Sequence, residues 1–80
     1  MTDRQLGRLL MNSIDAMGGS ASMEVILRSL STVTGTKALE LVDQVDNLIG
    51  QYIERGLIRR LNGLYHIVEG APKEIFDFYA

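Results

Sequence analysis

Apolar residues near the start of the chain recur at helical spacing. Leu6, Leu9, Leu10, Ile14 and Met17 share one face of a helix predicted from Asp3 to Met17, while Arg4, Arg8 and Asp15 project from the other side. Asp3 in the first turn suits the helix dipole, and Gly18-Gly19 supplies the stop. A second stripe follows at Met23, Ile26, Leu27, Leu30 and Val33, with Ser20 or Ser22 as the N-cap and Glu24 in the opening turn. Ser31-Thr32-Val33-Thr34-Gly35 favours turns over helix interiors and ends that helix, leaving Thr34 or Thr36 to cap the next. The third helix is predicted from Lys37 to Arg55, stopping at Gly56. Its residues Ala38, Leu41, Val42, Val45, Leu48, Ile49, Tyr52 and Ile53 gather within about 140° of arc, a full core-facing side. Gly50 is discordant, because glycine in a helix interior costs up to ~1 kcal/mol relative to alanine.

After Gly56 the period changes to two. Leu57 to Leu61 and Leu64 to Val68 flank Asn62-Gly63, the strongest short-range hairpin signal, because both turn residues must take positive φ. Gly70 and Pro72 close this segment. The last stretch, Lys73 to Ala80, carries Ile75, Phe76, Phe78 and Tyr79 and is compatible with one or two further helical turns. This divides the chain into a domain over residues 1–70 and an aromatic tail over residues 71–80, packing on the domain or on a partner.

Composition narrows the function classes. Eighty residues allow one small domain; 46% apolar and 22% charged residues are ordinary globular values. The absence of cysteine removes disulfides, thiolate metal sites and cysteine nucleophiles. No apolar run exceeds three residues and no apolar stretch follows Met-Thr-Asp-Arg, so neither a membrane span nor a secretory leader is expected, and the expected location is intracellular. The lone His66 alternates with Tyr65 and Ile67 in a predicted strand, where an exposed strand histidine is the plain reading. Five serines have no histidine nearby in sequence, and Gly18-Gly19-Ser20 is no phosphate-cradling loop. Neither an enzyme, a metal, a cofactor nor a small-molecule ligand is expected.

Two short helices, a turn, a longer helix and a hairpin follow the order of a winged helix-turn-helix domain. The run Ile53-Glu54-Arg55-Gly56-Leu57-Ile58-Arg59-Arg60, followed by Asn62-Gly63-Leu64-Tyr65-His66-Ile67, resembles the end of a winged-helix recognition helix, its Gly-Leu-Ile entry to the first wing strand, and the wing. The resemblance covers about residues 3–70 and is to the superfamily as a whole. It implies an α+β, mainly α fold: a three-helix core followed by a two-stranded β-hairpin wing. It also implies duplex DNA as partner, with the third helix toward the major groove and the wing on phosphates. Other members of the superfamily serve as protein-interaction modules, so a protein partner is the alternative.

The exposed residues speak to both. One solvent stripe of the third helix holds Lys37, Glu40, Gln44, Asn47 and Gln51; the other holds Asp43, Asp46, Gly50 and Glu54. In the DNA reading, which leads at this level, Gln44, Asn47 and Gln51 reach base edges, while Lys37, Arg28, Arg59 and Arg60, helped by Arg55, contact phosphates. In the protein reading the interface is Asp43, Asp46 and Glu54, or the tail residues Phe76, Phe78 and Tyr79, with a homodimer as one form it could take. Net charge is −2 overall; residues 36–55 carry two basic against four acidic groups, and the wing segment 56–70 is net +1. Leu39 lies off the core arc; buried against the second helix it is unremarkable, exposed it suits a protein-binding surface better than a DNA-binding one.

Overall fold

The computed structural model describes residues 2–68, so the tail residues Ile75, Phe76, Phe78 and Tyr79 lie outside the described part. The first helix, α1, spans Asp3–Ala16. Its start is a capping box: Thr2 Oγ1 accepts from the Gln5 N–H at 3.2 Å, and Gln5 Oε1 accepts from the Thr2 N–H at 3.2 Å. Its end is a sharp reversal at Gly18 and Gly19, whose φ values of +91° and +95° exclude most side-chain-bearing residues.

The reversal feeds a three-residue strand, β1, Ser20–Ser22. Ser22 also caps the second helix, α2 (Met23–Thr34), its hydroxyl accepting from the Val25 N–H at 3.2 Å. α2 stops at Gly35, a left-handed C-cap whose N–H donates to the Ser31 carbonyl. The Thr34 hydroxyl turns back to the Leu30 carbonyl and accepts from the Thr36 N–H, so neither threonine caps the next helix. Lys37 occupies that N-cap position without a side-chain cap bond, and α3 runs over Ala38–Glu54. Strands β2 (Ile58–Leu61) and β3 (Leu64–Ile67) complete the order, joined at Asn62 (φ +52°) and Gly63 (φ +76°) as the Asn-Gly signal predicts.

The sheet corrects the two-stranded expectation. It has three antiparallel strands in the order β1-β3-β2, with Ala21 opposite Tyr65 and Arg60 opposite Tyr65 on its other side. Ser-Ala-Ser is too short and too polar to show alternation, so nothing local marks it as a strand. It pairs because the Gly18-Gly19 turn lays it beside β3, where the Ile67 N–H also bonds the Gly19 carbonyl at 2.8 Å. The architecture is therefore α+β, mainly helical, three helices and a small sheet, compatible with a winged-helix-like arrangement.

One core joins all of it. Leu6, Leu10, Met11 and Ile14 of α1, Ile26 and Leu30 of α2, and Leu41, Val45, Leu48, Ile49 and Tyr52 of α3 meet Ala21, Leu57, Ile58 and Tyr65 of the sheet side. Three positions assigned to core stripes lie at the margin instead: Met17 (49% exposed), Val33 (60%) and Ile53 (41%). Val33 and Ile53 are the last apolar residues of α2 and α3, and Met17 is the C-cap of α1; at each the chain has run past the layer it packs on.

Candidate functional site

Directly opposite residues on paired strands point to the same side, so the register sorts the sheet faces. Ala21, Ile58, Tyr65 and Ile67 face the helices, together with Arg60 near the hairpin tip. The Arg60 guanidinium stands 5.8 Å from the Tyr65 ring centroid, a cation–π contact over the rim of the core. Arg59 lies on the outer face, paired across the hairpin with half-buried His66 and near Leu61 and Leu64. The two hairpin arginines thus occupy opposite faces, and of the two Arg59 shares a face with His66.

The base-edge candidates separate as well. Asn47 and Gln51 are exposed, but Gln44 is half-buried and its Nε2 donates to Asp3 Oδ1 at 2.7 Å. That bond ties α3 to the first turn of α1 and turns the amide toward the domain. Lys37 is exposed at the α3 N-terminus. Arg28 is exposed on α2 and paired with Glu24 at 2.9 Å. This one-turn pair contributes a few tenths of a kcal/mol at most.

Asp43, Asp46 and Glu54 are all exposed on α3. With the buried residues of α3 centred near Tyr52 and Val45, helical geometry directs Asp43, Gly50 and Glu54 straight outward, flanked by Leu39, Asp46, Asn47 and Glu40. Leu39 is 89% exposed. Among the described residues, the outward pole of α3 therefore holds four carboxylates, no cation and one bare leucine. Comparison with family models, with curated proteins and with solved structures returned no match. The chemistry of this surface is what remains to be interpreted.

One arrangement escapes the two-stripe division made from the sequence. Leu39, Asp43, Asp46, Gly50 and Ile53 follow one another by four, three, four and three residues, the spacing of a helix–helix seam, and all five are exposed. The spacing is visible in the sequence. It is masked there because Ile53 falls at the edge of the core arc, and burial alone places it outside.

Elsewhere, an apolar surface flanks α2. A groove of ≈ 330 Å³ between the end of α1 and α2 includes Met17, Val25 and Val33, and another of ≈ 360 Å³ runs between α2 and Ala38. Among the described residues, no group of three or more His, Cys, Asp or Glu side chains converges to hold a metal ion, and no helix is long and apolar enough to cross a membrane.

Proposed function

We propose that the chain is a winged-helix-like protein-interaction module that engages its partner through the outward face of α3. The observation that carries this reading is the make-up of that face: Glu40, Asp43, Asp46 and Glu54 without a cation, beside a leucine that is 89% exposed. In a major groove these carboxylates would lie close to phosphates, each opposing the counterion release that drives DNA association. Against a basic partner the same charges steer association, and Leu39 gains burial. The Gln44 bond to Asp3 supports the reading further, since it occupies one of the amides that a base-reading helix would need. Catalysis and cofactors have no part in it.

Duplex DNA is the second reading, favoured by Arg59 on the outer face of the sheet and by Lys37 at the start of α3. One pair of experiments separates the two. A photo-crosslinking residue at Asn47 should capture a discrete protein in cells that express the chain, and Asp43→Lys with Asp46→Lys should abolish that adduct. In parallel, a labelled random duplex should show no binding by fluorescence anisotropy at low salt. Micromolar duplex binding that collapses with salt and weakens in Arg59→Ala would overturn the protein reading in favour of DNA.

A further inference from the structure

Gly50 has no internal reason to be glycine. It sits within α3, its φ is not positive, and a Cβ built there would meet nothing within 4 Å. Alanine would fit, and by helix propensity would be the more stable choice. A side chain absent from an open, outward helix position leaves a notch, and a notch is useful to something approaching from outside.

The residues around the notch say what approaches. Leu39, Asp43, Asp46, Gly50 and Ile53 form the exposed seam described above, which runs for about 21 Å along α3. A seam of that length and spacing fits a helix of about four turns, with Leu39 and Ile53 as apolar anchors near its ends and Gly50 where the backbones come closest. Asp43 and Asp46 occupy seam positions, where contact removes them from water; an uncompensated carboxylate there is strongly unfavourable, so the facing residues must be Lys or Arg. A second copy of α3 fails this requirement, because it would set Asp43 and Asp46 against like charges. Resting on the protein-interaction reading, we infer that α3 docks a basic amphipathic helix of a different protein, which crosses closest at Gly50 and places arginine or lysine opposite Asp43 and Asp46.

The test uses a displayed library of 21-residue helical peptides with one face randomised, selected against the full chain. Enriched peptides should carry Lys or Arg interleaved with apolar residues, and amide shifts on binding should map to Leu39, Asp43, Asp46, Gly50 and Ile53. Gly50→Ala should raise the melting temperature of the free protein and weaken the selected peptide at least tenfold. Asp43→Lys with Asp46→Lys should leave the melting temperature within a few degrees and abolish binding. If the Asp43/Asp46 variant loses the peptide while Gly50→Ala binds it as wild type, the notch is refuted and the protein-interaction reading stands. If the peptides are acidic, or map to the α2 grooves beside Met17 and Val33, the α3 seam is refuted altogether.

Discussion

Replacing Tyr65 with alanine tests whether the hairpin is part of the core or an appendage to a helical bundle. Tyr65 is 8% exposed, lies on the central strand and stands opposite both Ala21 and Arg60. Truncating a buried aromatic to alanine costs about 3–5 kcal/mol; the position of Tyr65 at the core rim, under Arg60, argues for the lower end, about 3 kcal/mol. Stability on the order of 0.1 kcal/mol per residue gives a domain of this size roughly 7 kcal/mol, so the variant should keep little more than half. The melting temperature should fall by roughly 12–24 °C. Urea unfolding followed at 222 nm is the suitable assay, because it reports the helices while the mutation lies in the sheet. A shared core moves the helical midpoint down by about two-fifths with the slope unchanged. Tyr65→Phe, which keeps the ring, should stay within about 1 kcal/mol of wild type. A loss below about 1 kcal/mol for Tyr65→Ala, or a helical midpoint that stays put, would refute the single-core argument.

Three further outcomes are expected. Thr2→Ala removes the capping box at the start of α1 and should cost about 1 kcal/mol in thermal unfolding, with Thr2→Ser close to neutral. Gly63→Ala, at φ +76°, should cost about 1–2 kcal/mol, and a neutral result would mean that the turn does not hold the hairpin register. Gln44→Ala breaks a hydrogen bond to a carboxylate on the surface and should cost up to about 1 kcal/mol; a double-mutant cycle with Asp3→Ala, which also removes the carboxylate from the first turn of α1, should show a coupling of that same order.

Much of the scaffold was legible because its signals are local. Paired glycines after α1, a serine cap before α2, a glycine after α3 and Asn-Gly between two alternating runs each specify backbone conformation within a few residues, and each stands where expected. The misplacements were at ends. Lys37 rather than a threonine occupies the α3 N-cap, because the hydroxyl of Thr34 is used by its own helix. Met17, Val33 and Ile53 match the helical period but overshoot the packed layer, and period alone carries no information on where a neighbour stops.

The sequence by itself determined the class of the protein: a small, cysteine-free, mainly helical domain with a hairpin after its third helix, acidic residues gathered on that helix and arginines in the hairpin. Those properties follow from composition, spacing and turn chemistry, all of which act over short distances along the chain. The tertiary structure decided the rest. It made Ser20–Ser22 a strand through pairing with β3, drew Gln44 toward Asp3 across 41 positions, and chose Arg59 rather than Arg60 to share the face of His66. It also left Leu39, Gly50 and Ile53 bare on the outward side of α3. Which exposed residues share a surface depends on how whole elements pack against one another, and no local pattern encodes that.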